Sequence, residues 1–193
     1  MAIAQPDKQA RTAHDAQLAP FGRLTDAAQW LAACQGAAPA REPQRIRAVI
    51  FAEQETPLPA AETAARRAEA GLNVVTLTDY SQAYNLGAAT ADAEIDAGAD
   101  LLIPGGEERA RVPAVVMATM TQTEPVVIVG KQRSVEDWKR EVSAIRDAMF
   151  RARNLEGMEL VESCQSTVLA ATGGFIARAA ERRTPLLVDA PLT

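Results

Sequence analysis

Residues 99–119 read ADLLIPGGEERARVPAVVMAT, and this stretch decides the predicted fold. Its pattern predicts, in order, a short buried strand at 101–103, a turn at 104–106, a charged loop and a helix from Pro113. In an open parallel sheet, ligands bind beyond the carboxyl ends of the strands, where glycines let backbone N–H groups approach an anion at a helix N-terminus. Gly105 and Gly106 therefore indicate a phosphate-binding turn, whereas Glu107 and Glu108 place negative charge where a phosphate needs positive charge.

Alternating strands and helices surround this stretch. Besides 101–103, the predicted strands are 46–51, 73–77, 126–129 and 184–189. The predicted helices are 24–35, 60–70, 85–97, one from 113 to Pro125, one after Ser134, and one from Ser166 or Thr167 to about 183. Residues 46–77 form a βαβ unit, which predicts a parallel strand pair with a right-handed crossover. The predicted fold is α/β: a three-layer α/β/α domain with a mostly parallel, doubly wound sheet of about five strands and an N-terminal leader helix.

The length of 193 residues predicts a single domain with a substantial core. Residues 1–19 are polar and are predicted to form an N-terminal arm or a loosely held helix. Residues 20–193 are predicted to form one α/β domain of the nucleotide-binding type. Residues 154–162 are predicted to be a connector.

Small and aromatic residues give two packing predictions. Trp30 and Cys34 lie on the apolar stripe of the leader helix and are predicted to pack in the core, with a role in a site as the alternative. Gly173 and Gly174 interrupt the last predicted helix, where glycine is unfavourable by about 1 kcal/mol relative to alanine. They predict a close approach to a strand or a second subunit, with a ligand as the alternative.

Composition excludes several classes of function. The net charge is −5 and no basic block occurs, which argues against a nucleic-acid surface. The single histidine, His14, and two distant cysteines offer no metal site, disulfide framework or Ser-His-Asp triad. No apolar run approaches the ~20 residues that span a bilayer, and the N-terminus lacks a signal-peptide pattern. We expect a cytoplasmic protein with no metal, no cofactor and no membrane partner.

Charged residues and glycines at the predicted carboxyl ends of the strands form the candidate substrate- or phosphate-binding set: Gly105, Gly106, Glu107, Arg109, Arg111, Lys131, Arg133 and Asp189. The basic members offer an anion-binding role, with a solvated loop charge as the alternative. Asp79 follows the second predicted strand, where ribose hydroxyls are often held in nucleotide-binding sheets. A turn or a helix cap is the alternative for Asp79.

Three motifs, in order, resemble one enzyme family. They are FGRL at 21–24 continuing through WLA at 30–32, GADLL at 98–102 with GE at 106–107, and RRTPLLVD at 182–189. The chain resembles nicotinate-nucleotide:dimethylbenzimidazole phosphoribosyltransferases, which make α-ribazole phosphate for the lower ligand of cobalamin. The resemblance extends from residue 20 to the end of the chain. It implies a small-molecule nucleotide substrate, nicotinate mononucleotide, and a homodimer or a partner that is a full-length relative.

The same comparison shows departures from the family pattern. FAEQET at 51–56 replaces Phe-Ala-Gly-Asp-His-Gly, and the Gly- and Thr-rich segment after Gly-Glu is replaced by ERARVPA at 108–114, which includes Glu108 and Pro113. QSTV at 165–168 replaces Gly-Gly-x-Glu. The region that carries the family's catalytic glutamate has no counterpart in this sequence.

These departures leave the function open between two classes. Phosphoribosyl transfer to a benzimidazole needs a base for the N–H proton and an oriented phosphate. One hypothesis is a phosphoribosyltransferase with relocated groups, and the other, which the departures favour, is a relative with weak or no catalysis that binds a nucleotide or a partner. A third interpretation is an unrelated doubly wound nucleotide-binding module.

Overall fold

The computed structural model describes residues 3, 5–15, 22–55, 57–107, 111–130 and 134–188. Within them, strands and helices alternate in the order α1 (Lys8–Asp15), α2 (Arg23–Gln35), β1 (Ile46–Ala52), α3 (Pro59–Arg67), β2 (Gly71–Thr76), α4 (Tyr80–Asp96), β3 (Leu101–Glu107), α5 (Arg111–Thr121), α6 (Pro125–Val129), α7 (Val135–Ala152), α8 (Gly157–Cys164) and α9 (Thr167–Glu181). The predicted α/β class is confirmed.

The sheet is parallel, with the strand order β2-β1-β3. β1 lies in the centre, and Ile50 pairs with Val74 on one side and with Gly105 on the other. The chain crosses from β1 to β2 and then back over β1 to β3, so right-handed crossovers place α3 and α4 on opposite faces. The predicted doubly wound arrangement is confirmed.

The predicted count of about five strands is wrong, because the described residues form three. Residues 126–129 lie in the short helix α6, not in a strand. Within the predicted strand 184–189, the described residues make one parallel bridge, between Leu102 and Leu186. The Leu102 amide donates to the Pro185 carbonyl at 3.0 Å, and the Leu187 amide donates to the Leu102 carbonyl at 2.9 Å. This segment therefore follows the edge of β3 without extending the sheet by a full strand.

The main core lies between the sheet and the helix pair α4–α9. Val49 and Phe51 of β1 and Leu102 of β3 are fully buried there, and the Phe51 ring meets Phe175 of α9 edge-on, with the centroids 5.7 Å apart. Such an edge-to-face pair is a favoured aromatic geometry. α9 is thereby seated across β1 and β3.

Two glycines let α4 and α9 approach until their backbones touch. A Cβ at Gly87 would overlap the Ala171 carbonyl oxygen, and a Cβ at Gly174 would overlap the Tyr84 carbonyl oxygen. The close approach predicted for the glycine pair is thus made by Gly174 alone, and its partner is a helix of the same chain rather than a strand or a second subunit. Gly173 faces away, with nothing within 4 Å of its Cβ position.

Ion pairs join α4 and α9 along the outer rim of this contact. Asp92 accepts from Arg178 Nε at 2.9 Å and from Arg182 Nη1 at 2.7 Å, and Arg182 Nη2 donates to Asp96 at 2.7 Å. Hydrogen bonds from Arg178 and then Arg182 lower the pKa of Asp92. The Asp92 carboxylate on this rim is therefore ionised at neutral pH.

A second polar contact ties α4 to the amino end of the sheet. The Glu94 carboxylate accepts from Arg47 Nε at 2.7 Å and from Asn73 Nδ2 at 2.9 Å, so it joins β1, β2 and α4. Burial opposes ionisation of Glu94, but the hydrogen bonds from Arg47 and Asn73 outweigh it and lower its pKa. Glu94 is only 7% exposed, so it is a buried carboxylate whose two oxygens both accept hydrogen bonds.

Helices α5 to α7 build a second, smaller cluster. Val115 and Ala118 of α5 pack against Ile145 of α7, and Ile128 and Val129 of α6 lie over them. α7 begins as its sequence predicts, because Ser134 Oγ accepts from the Asp137 amide at 3.0 Å. The predicted connector at residues 154–162 is wrong, since α8 occupies most of it.

The leader helix α2 packs on α1 through a different face from the predicted one. Ala32 and Ala33 are buried, and the Asp7 amide donates to the Ala33 carbonyl at 3.0 Å. Trp30 is 41% exposed, so the prediction that it packs in the core is wrong, and Cys34 is half-buried. The side of α2 that carries Leu24 and Trp30 is left facing solvent.

We predict opposite effects for alanine at the two adjacent glycines of α9. Gly174→Ala forces its Cβ against the Tyr84 carbonyl and should lower the free energy of unfolding by about 1–3 kcal/mol or more. Gly173→Ala meets open space and should leave it unchanged or raise it by up to ~1 kcal/mol through helix propensity. Urea unfolding of both variants measures the difference, and equal effects would show that the helices do not touch at Gly174.

We predict that Glu94→Gln destabilises the protein at neutral pH and that the difference narrows in acid. At pH 7 the loss should be about 1–3 kcal/mol, less than for a fully buried pair because the Arg47 side chain is 30% exposed. The pKa of Glu94 is lower in the folded state than in the unfolded state, where it is about 4.3, so the ionised carboxylate stabilises the fold above that pH. This contribution is lost as the pH falls through the folded-state pKa. Unfolding free energies from pH 7 to pH 3 test this, with Glu62→Gln, an exposed α3 residue, as the control.

Candidate functional site

The carboxyl ends of the three strands lie level with one another. Ala52, the last residue of β1, pairs with Thr76 of β2 and with Glu107 of β3. The Leu77 amide continues this alignment by donating to the Ala52 carbonyl at 2.8 Å. This edge is where parallel α/β sheets bind ligands, and it is our candidate site.

The N-terminus of α9 reaches this edge and contacts the residue that follows β1. Ser166 caps the helix by accepting from the Leu169 amide at 2.9 Å, and Thr167 Oγ1 donates to Glu53 Oε1 at 3.2 Å. The N-terminus of a helix carries partial positive charge, which favours a carboxylate. Glu53 therefore supplies an anion to α9 from within the protein.

Gly106 makes this placement of α9 possible. A Cβ at Gly106 would lie 2.5 Å from Val168 Cγ1 and 3.6 Å from Thr172 Oγ1, both on the first turns of α9. A larger residue would force the Val168 side chain or the helix to shift. Gly105 points to the opposite face of the sheet, toward Ile50.

The predicted turn at residues 104–106 is wrong, because β3 runs through to Glu107. Gly105 and Gly106 are strand residues that pair with Ile50 and Phe51. Their backbone amides therefore belong to a strand rather than to an anion-binding loop.

The second strand contributes a helix cap. Asp79 accepts from the Ser81 amide at 2.9 Å and from the Ser81 hydroxyl, so it is the N-cap of α4. This confirms the cap interpretation of Asp79. The helix begins at Tyr80, earlier than the predicted residue 85.

Burial, with contributions from Glu162 and Cys164, raises the pKa of the Tyr80 hydroxyl, so it is a neutral hydrogen-bonding group at physiological pH.

The structure describes only some of the predicted binding residues. Glu107 ends β3 and is exposed at the edge, and Arg111 begins α5. Arg109, Lys131, Arg133 and Asp189 lie outside the described residues. The described part of the edge is therefore acidic, with Glu53, Asp79 and Glu107 at the ends of three neighbouring strands.

Sequence reasoning missed the contact between Thr167 and Glu53. The two residues are 114 positions apart, and no local motif connects them. Glu53 stands out only as one of several acids after β1. The small residue at Gly106 was the available signal, because it allows a helix to pack at that point of the strand.

Among the described residues, no group of His, Cys, Asp and Glu is arranged to hold a metal ion. In the same residues, no helix combines the length and apolar character that crossing a bilayer requires.

Comparison with known proteins identifies the family. A phosphoribosyltransferase family model matches residues 61–193, which is more than half of the chain. The nicotinate-nucleotide–dimethylbenzimidazole phosphoribosyltransferase of Mycobacterium avium is 34% identical over 229 aligned residues. The chain belongs to the nicotinate-nucleotide–dimethylbenzimidazole phosphoribosyltransferase family. The alternative interpretation, that the chain is an unrelated doubly wound nucleotide-binding module, is therefore wrong.

The relatives in this phosphoribosyltransferase family are longer than the chain. The Mycobacterium avium alignment covers 88% of the chain and 66% of that relative, and an alignment with the Mycobacterium ulcerans enzyme, 35% identical, covers 93% and 68%. The first alignment, at 229 positions, is longer than all 193 residues of the chain. The relative therefore contains internal segments that this chain lacks.

A solved structure gives the same fold. The phosphoribosyltransferase of Thermus thermophilus superposes with a TM-score of 0.76 over 94% of the chain and 74% of its own, at 19% identity. At this identity the likeness shows the fold alone.

Proposed function

We propose that this chain binds nicotinate mononucleotide, or a closely related nucleotide, at the carboxyl edge of its sheet, with weak or no catalysis. Membership of the phosphoribosyltransferase family supports the choice of ligand. The contact between Thr167 and Glu53 supports a weak hold on the phosphate of the nucleotide, because the Glu53 carboxylate lies at the N-terminus of α9, where a phosphate would otherwise bind. A poorly held phosphate orients the nucleotide poorly, which slows the transfer. Like charges near one another oppose binding.

The binding residues stay as the sequence predicts them, and they divide by chemistry. Arg109, Arg111, Lys131 and Arg133 would hold the phosphate. Glu107 and Asp189 would accept hydrogen bonds from ribose hydroxyls, as carboxylates do in nucleotide-binding sheets. Gly105 and Gly106 would bring the end of β3 close to the ligand.

We also propose that the chain forms a homodimer through the face of the sheet opposite to α9. Ile50 and Ile103 are only half-buried there, and Val74 and Leu187 are 39% and 56% exposed. Sheets of this parallel type are normally covered on both faces. α3 covers only part of this face, over β2, and a second copy, which would present an identical apolar face, would cover the rest.

The catalytic part of the proposal is tested by turnover. With nicotinate mononucleotide and dimethylbenzimidazole as substrates, we expect release of nicotinate close to the uncatalysed background. A rate far above background would refute weak catalysis and leave the proposed ligand standing.

The binding part is tested by titration with nicotinate mononucleotide. We predict that Glu53→Gln tightens binding roughly three- to tenfold, because it removes a negative charge near the phosphate. Glu55→Gln, an exposed acid two residues further along, is the matched control and should change affinity little. Absence of saturable binding in all three proteins would refute the proposed ligand.

The dimer is tested by mass in solution. We expect a particle of about twice 20.6 kDa at micromolar concentration. Val74→Glu should convert it to a monomer by placing a charge in the apolar face. Val127→Glu on α6, where the valine is 67% exposed, should leave the dimer intact. A monomeric native protein contradicts the proposal.

A further inference from the structure

β2 is an edge strand of the sheet. It pairs with β1 on one side, and among the described residues no strand pairs with its other side. A strand at the edge of a sheet presents a row of unpaired backbone N–H and C=O groups to its surroundings. The outer edge of β2 is therefore a surface to which a further strand can be added.

The outward backbone groups of β2 belong to Leu72, Val74 and Thr76. Along a strand, the N–H and C=O groups of successive residues point alternately to one side and to the other. The Leu77 amide donates to the Ala52 carbonyl of β1, so the odd-numbered residues of β2 face β1 and the even-numbered residues face away from it. No described residue exchanges a hydrogen bond with these outward groups.

This edge lacks the features that normally keep one sheet from pairing with another. Edge strands in natural proteins are commonly blocked by a proline, a charged side chain or a β-bulge. β2 reads GLNVVT over residues 71–76, without proline or charge, and its register with β1 contains no bulge. Val74 and Thr76 are exposed, so the described residues leave the edge accessible.

The charges at the two ends of β2 favour a second copy as the added strand. Two-fold symmetry makes two identical edges antiparallel, so the start of one β2 meets the end of the other. Arg66 and Arg67 end α3 and precede β2, together with Glu69, whereas Asp79 follows the strand. The start of β2 therefore carries a net positive charge and its end a negative one, and antiparallel pairing brings these opposite charges together.

We propose that the outer edge of β2 pairs with the same edge of a second copy, with Val74 of one copy opposite Val74 of the other. Leu72 of each copy then lies opposite Thr76 of the other. Opposite residues of this kind exchange two hydrogen bonds, so the three pairs make about six. The facing valine side chains form an apolar cross-strand pair, which stabilises the contact further. The two three-stranded sheets become one continuous sheet.

This contact is separate from the homodimer proposed above, because it uses the edge of the sheet and not its face. Both contacts can therefore form at once. The edge of β2 is about 20 Å long, and contacts that bury less than ~1,200 Å² are typically weak. We expect edge pairing near millimolar concentration, above the micromolar concentration at which the homodimer is measured.

Residue-resolved amide hydrogen exchange at micromolar and near-millimolar concentration tests the pairing. The amides of Leu72, Val74 and Thr76 should exchange at least ~10-fold more slowly at the higher concentration, because pairing gives each a hydrogen-bond acceptor. The amides of Asn73 and Val75 bond to β1 and should be protected equally at both concentrations, which makes them the internal control.

A proline at the edge gives a variant that blocks the pairing without breaking the sheet. The Thr76 amide points away from β1, so Thr76→Pro removes no hydrogen bond between the strands of one copy, and edge strands tolerate proline. It should remove the slowing of exchange at Leu72 and Val74. Thr76→Val keeps the N–H group and is the matched control, which should behave like the native chain.

Three results would overturn the proposal. The first is unslowed exchange of the three outward amides near millimolar concentration, and a particle of twice the chain mass at micromolar concentration would then still support the homodimer. The second is slow exchange that is equal at both concentrations, which would show that another segment of the same chain covers the edge. The third is concentration-dependent slowing that persists in Thr76→Pro.

Discussion

The contact between α4 and α9 is the constraint on which the rest of the structure depends. It exists because Gly87 and Gly174 present no side chain where the two helix backbones meet. Held at this distance, α9 packs Phe175 on Phe51 and covers β1 and β3. The same placement brings the first turn of α9 to the carboxyl edge, where Thr167 meets Glu53. The core and the candidate site therefore share one cause.

The sequence predicted the fold where the signals were local. The βαβ pattern of residues 46–77 and the cap at Ser134 each depend on neighbouring residues, and both are found in the structure. The apolar run 126–129 is too short for periodicity to separate a strand from a helix. Its packing on Ile145 favours a helix, and that packing is a tertiary contact. Leu186 pairs with Leu102, but neighbouring residues do not continue the ladder.

The site was predictable in place but not in detail. The three motifs identified the family, and the βα pattern located the ligand edge at the carboxyl ends of the strands. Pro-Gly-Gly at residues 104–106 has the composition of a turn, yet the strand continues because these residues pair with β1. Gly106 in addition leaves room for α9 to pack on the strand. The approach of Thr167 to Glu53 depends on how a helix lies across the sheet, which no spacing in the sequence encodes.

The order of the elements along the chain has a consequence for synthesis. α9 is the last helix described, and it completes the main core by packing on α4, β1 and β3, all of which leave the ribosome earlier. Until α9 emerges, Phe51 and Leu102 have no helix to bury them beside α4. The core is therefore completed late, and the sheet, whose last described strand ends at Glu107, lacks the cover of α9 until residues 167–181 have been made. Apolar surface and strand edges that are exposed in an incomplete chain promote aggregation.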